Sequence, residues 1–310
     1  MNPVLAEVVR SGYVESTHSG AVVALRPDGS VALALGDVER PWFPRSSNKP
    51  LQATGLLAAG WQPETAQQVA LAAASHSGEA GHLDVVRSML DDLTLLGCPP
   101  ELPLGEEAAH AVLRAGGGPE RLTMNCSGKH AAMLRTCELN GWPTDGYLAV
   151  THPVQRAALA GVEALAGEHV REVAVDGCGA PQHALTLLGL ARAYAALATG
   201  QGPERQVAEA MRTHPWYVGG TGRDVTRLME GVPGLVAKDG ADGVYAAALP
   251  DGSAVAVKIG DGAARARTPV LVAALRALGC EAAVLEELAT TPVLGGGRPV
   301  GEVRAVLSPA

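Results

Sequence analysis

The stretch Ala21-Val22-Val23-Ala24-Leu25-Arg26-Pro27-Asp28-Gly29-Ser30-Val31-Ala32-Leu33-Ala34-Leu35 decides the fold class. Two apolar, β-leaning runs flank a Pro-Asp-Gly-Ser turn, in which proline presets one dihedral and glycine accepts positive φ, so the segment predicts a β-hairpin. Far downstream, Val244 to Leu249 and Ala254 to Ile259 flank Pro250-Asp251-Gly252-Ser253, a second hairpin with nearly the same turn. Residues 4–10 also alternate like a strand. Hairpins near both ends predict one antiparallel sheet assembled from N- and C-terminal segments. The shared turn reflects the same geometric need rather than an internal repeat.

Between the hairpins the apolar spacing is three to four residues, predicting helices over 64–74, 80–96, 106–115, 129–140, 154–166, 182–199, 203–212 and 223–229. Gly/Pro-rich breaks at 97–103, 116–119 and 200–203 punctuate them. One more helix is predicted over 268–278, followed by a loose Pro/Gly-rich tail. No linker is long enough to separate independent domains. The expected architecture is a single α+β domain over 1–310. Its sheet subregion covers about 1–45 and 235–310, flanked by helices, and a mainly helical inserted region covers about 60–230.

Composition narrows the class. At 47% hydrophobic and 18% charged, the chain has the balance of a packed enzyme-like body rather than a disordered one. With Phe43 the sole phenylalanine, the core must be built from Ala, Leu and Val. A formal charge of −8 offers no basic field, so neither nucleic acid nor an anionic membrane is an expected partner. No apolar run approaches the length of a membrane-spanning helix, and the charged, alternating N-terminal residues do not read as a signal peptide. The five cysteines at 98, 126, 137, 178 and 280 are sparse and odd in number, which fits a reducing cytoplasm rather than a disulfide framework.

Several stretches carry chemistry. In Pro44-Arg45-Ser46-Ser47-Asn48-Lys49-Pro50, Pro50 suits the first turn of a helix beginning near Ser46 to Asn48. Ser46 and Lys49, three apart, then share one face, with the helix N-terminus beside the serine. A serine becomes a nucleophile when a base lies within reach, and a lysine serves when its pKa is depressed. The same spacing also describes a plain serine cap with an exposed lysine. Ser75-His76-Ser77-Gly78-Glu79 stands at a helix junction, where Ser77 reads as a cap or as a second active-site hydroxyl. Asn125-Cys126-Ser127-Gly128-Lys129-His130 puts a thiol and two nitrogens at a helix start, and Asp176-Gly177-Cys178-Gly179-Ala180-Pro181 flanks a second thiol with glycines. Soft sulfurs with one or two nitrogens would suit zinc, although no C-x-x-C or H-x-x-x-H pair is present; small buried cysteines are the plainer reading. Lys258 ends the apolar run Val255-Ala256-Val257 before Gly260-Asp261-Gly262, and a buried charge there needs a partner. Gly219-Gly220-Thr221-Gly222-Arg223-Asp224 lacks the Lys-Ser/Thr ending of a phosphate loop and reads as a loop lining a pocket.

Taken in order, these motifs resemble the asparaginase II family of the thermolabile rhizobial type over nearly the whole chain. The resemblance implies a serine β-lactamase-like and glutaminase-like fold and hydrolysis of L-asparagine to L-aspartate and ammonia. It implies two serine–lysine pairs, Ser46 with Lys49 and Ser77 with Lys258. It places zinc on Cys126, Lys129 and Cys178, with no organic cofactor, and sets Arg45, His130 and Asp176 around the pocket. It also implies a homodimer. One departure is Arg223-Asp224-Val225, where the family pattern has an aromatic after the arginine.

The expected route is an acyl-enzyme: Lys49 takes the Ser46 proton, and Ser77 with Lys258 relays a proton to the departing ammonia. Arg45, a planar two-pronged donor, suits the substrate α-carboxylate. The alternatives are a glutaminase or other serine amidase on the penicillin-recognising fold, and a non-catalytic amino-acid-binding protein. Neither serine outranks the other on sequence.

Overall fold

The structure, a computed structural model, describes residues 2–307. It contains twelve strands: β1 Val4–Arg10, β2 Tyr13–Leu25, β3 Val31–Leu35, β4 Pro41–Trp42, β5 Val173–Val175, β6 Pro181–His183, β7 Leu185–Thr186, β8 Val236–Asp239, β9 Val244–Ala248, β10 Ala254–Ile259, β11 Thr290–Gly295 and β12 Arg298–Ala305. The main sheet runs β11-β12-β1-β2-β10-β9-β8, with β3 also paired to β2. Every pairing is antiparallel, and every strand comes from residues 4–35 or 236–305. The sheet is therefore built from both ends, as expected for an α+β protein. Residues 308–310 of the expected sheet region, and residue 1, lie outside the described residues.

β2 is the axis of the sheet. Its first half pairs with β1, and its second half pairs with β10 on one side and β3 on the other. The exchange happens at Gly20, where an added Cβ would lie 2.1 Å from the Lys258 carbonyl oxygen, so only glycine admits the approach. All residues of β8, β9 and β10 are buried, which accounts for their unbroken Ala/Val runs. Helices Leu187–Thr199 and Ala264–Ala277 supply the cover.

The structure differs from the expected elements in three places. The supposedly loose tail forms the β11–β12 hairpin, turned by Gly296 and Gly297 at φ 57 and 77; a two-glycine turn of this kind matches the twist of its strands. The helix expected from residue 182 begins only at Leu187, because Pro181–His183 is drawn into a ladder with β5. The helix expected over 80–96 ends at Met89 and gives way to a short 3-10 turn at Leu93–Leu95. No described helix is long and apolar enough to cross a membrane.

The helix Lys49–Ala58, which follows the Ser46 turn, is fixed by its contact with the helix Pro153–Ala166. They cross at Gly55 and Gly161: a Cβ on Gly161 would sit 2.5 Å from the Gly55 nitrogen and 2.6 Å from the Leu51 carbonyl oxygen. Backbone atoms cannot step aside as a flexible side chain would. Gly161→Ala is therefore expected to lose ~1–3 kcal/mol through overpacking, more than the ~1 kcal/mol of helix propensity it gains. Calorimetry should show a melting temperature several degrees lower, and an unchanged or higher one would refute the close crossing.

Candidate active site

The Ser46 turn is held at both ends. Upstream, Pro41 and Trp42 pair with Thr186 and Leu185. Downstream, a 3-10 turn over Arg45–Asn48 passes directly into Lys49–Ala58, with Pro50 in its first turn where the missing N–H is harmless. Arg45 has φ 51, a left-handed backbone that a non-glycine residue adopts only when its surroundings compel it. Its partners do so: Nε donates to Asp176 Oδ1 at 2.8 Å, Nη1 donates to Asp242 Oδ2, and its carbonyl accepts from Gln182 Nε2 at 3.3 Å.

Lys49 is 1% exposed. Its Nζ donates to the Ala74 carbonyl at 2.5 Å and to Ser75 Oγ at 3.0 Å. Ser46 is only half-buried and its hydroxyl makes no hydrogen bond among the described residues. The lysine of the Ser46-x-x-Lys49 motif thus reaches across to a serine of the second motif. That serine was the one that sequence reasoning passed over. The signal available was its place at the end of the buried run Val69–Ala74, which turns its side chain inward.

Ser77 and Lys258 do not form the expected pair. Ser77 Oγ donates to the Gly219 carbonyl at 2.9 Å, and Lys258 Nζ donates to the Asp242 carbonyl. Ser77 is not the cap of the following helix either, since Glu79 fills that position in a capping box with His82. Between the two serines, His76 Nδ1 accepts from Gly78 N at 3.2 Å, so its Nε2 carries the proton and donates to Ser127 Oγ at 2.9 Å. Burial, followed by the nearby His82 and Lys49, holds the His76 pKa well below the usual histidine value.

A second lysine missed by sequence reasoning sits beside this dyad. Lys238 on β8 is fully buried, its carbonyl accepts from Ser47 Oγ at 2.9 Å, and its Nζ donates to Asp239 Oδ1 at 2.6 Å. Burial, with help from Lys49 and Arg223 and against the pull of Asp239, lowers its pKa to about 8. Lys258 is lowered as well, by burial and then by Arg45.

Arg45 opens onto a cavity of about 390 Å³, lined among others by Trp42, Asp176, Gln182, Asp242 and Lys258. Arg45 and Asp176 thus border this cavity. His130 does not. It lies inside the protein, with Nδ1 2.6 Å from the Tyr147 hydroxyl, because the first turn of its helix is fully buried.

The third and fourth motifs do meet, through Lys129 and Cys178. Cys126 precedes the helix Ser127–Asn140, and Lys129 on its first turn donates from Nζ to Cys178 Sγ at 3.1 Å. Cys126 Sγ donates to Asn125 Oδ1 at 3.2 Å; the nearby Cys126 thiol and then the charge of Lys129 lower the Cys178 pKa, and Cys126 is raised in turn. Burial works against the Lys129 ammonium, but the two sulfurs outweigh it and raise its pKa. His130 Nε2 is buried without a hydrogen-bond partner, close enough for Cys178 to act on its charge. No group of three or more His, Cys, Asp and Glu side chains among the described residues could hold a metal, so a metal here would need Lys129 as a donor. Two soft sulfurs and an amine that has shed its proton are donors zinc accepts, while His130 does not join them in a three-residue cluster.

A family model described as L-asparaginase II matches residues 6–305. No curated protein matches the chain. Among solved structures, one described as Mglu in its native form is 16% identical, with TM-score 0.45 over 89% of this chain and 67% of that one. Another, Mglu in its glutamate form, is 17% identical, with TM-score 0.45 over 90% of this chain and 65% of that one. The chain spans about two thirds of the length of these structures.

The hydrogen bond from Ser77 closes the second motif onto the Gly219 loop. Ser77→Ala would leave that carbonyl without its partner, with an expected loss of about 1 kcal/mol in unfolding free energy, read by urea denaturation. An unchanged midpoint would show that the bond does not hold the loop.

Proposed function

Because the chain belongs to the L-asparaginase II family, we propose that it is an amidohydrolase converting L-asparagine to L-aspartate and ammonia through a serine acyl-enzyme. The mechanism rests on one observation: Lys49 Nζ lies 3.0 Å from Ser75 Oγ, one helical turn from the half-buried Ser46. Ser46, the more accessible hydroxyl, attacks the side-chain amide carbon. Its proton passes to Lys49, which the Ser75 hydroxyl holds in place and which must be neutral to accept it, and then to the leaving ammonia. Water next breaks the ester and frees aspartate. The first-turn N–H groups beside Ser46 are the oxyanion donors, each worth about 3 kcal/mol.

Lys238, a second buried amine, has its pKa lowered to about 8 by burial with help from Lys49 and Arg223, and we take the two amines together as the base. The base is the deprotonated form, so kcat/KM should rise as pH increases toward about 8 and fall on the acid side.

In the Arg45 cavity, Arg45 takes the α-carboxylate, while Asp176 and Asp242 accept the α-ammonium group. Lys258 closes the cavity wall rather than pairing with Ser77. We include zinc in the proposal, held by Cys126, Cys178 and Lys129, where it would supply a fixed positive charge that stiffens the pocket. The homodimer implied by the family belongs to the same reading, and sedimentation would test it.

Ammonia release from asparagine and glutamine tests the activity. Asparagine is the expected substrate. Ser46→Ala is expected to lower kcat/KM about a thousandfold or more, and Ser75→Ala about a hundredfold. Near-normal turnover in Ser46→Ala with loss in Ser75→Ala would transfer the nucleophile's role to Ser75. The zinc assignment has its own readout. Binding must displace the protons on Cys126 and Lys129, so zinc added to chelator-treated protein in weak buffer should release about two protons per site. Binding without proton release would exclude Lys129 as a ligand.

A further inference from the structure

Beside the lysine pair lies a buried charge cluster with no role in the chemistry described so far. Asp239 follows Lys238 on β8, and both its carboxylate oxygens are occupied. Oδ1 accepts from Lys238 Nζ at 2.6 Å; Oδ2 accepts from Arg223 Nη2 at 2.8 Å and from Arg267 Nη2 at 2.9 Å. Lys238 Nζ also donates to the Asp239 carbonyl at 2.7 Å. Arg223 approaches from the loop ahead of the helix Asp224–Gly231, with Nη1 3.5 Å from the Ser75 carbonyl. Arg267 comes from the helix Ala264–Ala277. Burial works against the Asp239 carboxylate, but Lys238, Arg267 and Arg223 outweigh it and hold it ionised.

Stability does not explain this cluster. Arg267 Nε and the Tyr245 hydroxyl are buried beside it with no hydrogen-bond partner. Buried ion clusters with unsatisfied members are commonly no better for stability than apolar side chains of similar size.

The electrostatic balance points to its use. Facing Lys238 are Lys49 from its helix, Arg223, Arg267 and Asp239. Tyr194 and Tyr245 are both raised, chiefly by burial, and stay neutral. Asp224, further off, acts on Arg267. The arginines keep their charge at any working pH. Asp239 is therefore the anion that sets how much of the cationic field reaches the lysines, and the two arginines set how much of Asp239 remains for Lys238.

We propose that Asp239, clamped by Arg223 and Arg267, is a positioning residue that fixes Lys238 Nζ and sets how readily that amine gives up its proton. The inference rests on the proposed use of Lys238 with Lys49 as the base. It fixes the sign of each substitution. Asp239→Asn removes the anion that favours the Lys238 ammonium, so Lys238 loses its proton at lower pH. Arg267→Met removes a cation and frees Asp239 for Lys238, so Lys238 keeps its proton to higher pH.

The test is a pH titration of the lysine Nζ resonances by NMR on ¹⁵N-lysine-labelled protein, with Lys238 assigned from Lys238→Met, alongside the acid limb of kcat/KM. Midpoints should move by about one pH unit, down in Asp239→Asn and up in Arg267→Met. A purely structural role would lower melting temperature or kcat in both without opposite displacements. Should either single variant fail to fold, the double variant Asp239→Leu with Arg267→Leu replaces the pair by apolar groups. Its Lys238 midpoint should then lie closer to that of the wild type than either single shift predicts. Unmoved or like-signed NMR midpoints would overturn the inference. Opposite NMR shifts with an unmoved kinetic limb would uphold the clamp and overturn the reading of this pair as the base.

Discussion

A polar amine taken out of water needs hydrogen bonds in return, and Lys49 is almost wholly enclosed with one carbonyl and one hydroxyl as its partners. The surrounding architecture answers that requirement. Ala74 and Ser75 belong to the segment just past the helix Ala66–Ala72, and Lys49 to the helix after the Ser46 turn. Their meeting depends on the latter helix lying close against its neighbour at Gly55 and Gly161. A small-residue crossing in the body of the fold thus determines where the reactive lysine ends.

Charge is handled differently in the two halves of the site. Around Lys238, burial and the nearby Lys49 and Arg223 outweigh Asp239, which favours a missing proton. Around Lys129 the Cys178 thiolate provides the counter-charge, which favours a retained one. Lysines buried to similar degrees thereby have their pKa values moved in opposite directions by their neighbours. The first suits proton transfer, and the second suits a site where a metal ion takes the place of the protons.

Much of this was legible along the chain. The hairpin turns at Asp28-Gly29 and Asp251-Gly252 identify the strands, since turn chemistry is local. Lys49, Arg45, Asp176, Lys129 and Cys178 all stand in motifs visible in order, and the folded chain joins Arg45 to Asp176 and Lys129 to Cys178. Other features were not legible. Ser75 and Ser77 flank one histidine, and nothing local says which hydroxyl turns toward Lys49 and which toward Gly219. Lys238 stands in a short strand whose Val-Ala-Lys-Asp pattern looks like a solvated end, yet all four residues are buried. The tail at 290–305 has the glycines of a loop, and pairing with β1 makes it a strand.

The amino-acid sequence by itself determined most of the elements, the antiparallel sheet shared by the two ends and the motifs that carry Arg45, Ser46, Lys49, Cys126 and Cys178, because propensity, periodicity and turn chemistry act over a few residues. The tertiary structure alone decided the partners: Lys49 with Ser75, Lys258 with the Asp242 carbonyl, Lys238 with Asp239 and two arginines. Those choices depend on burial and on charges that lie dozens of residues apart in the chain. Coulomb forces and desolvation act through space, and only the folded chain brings their sources together.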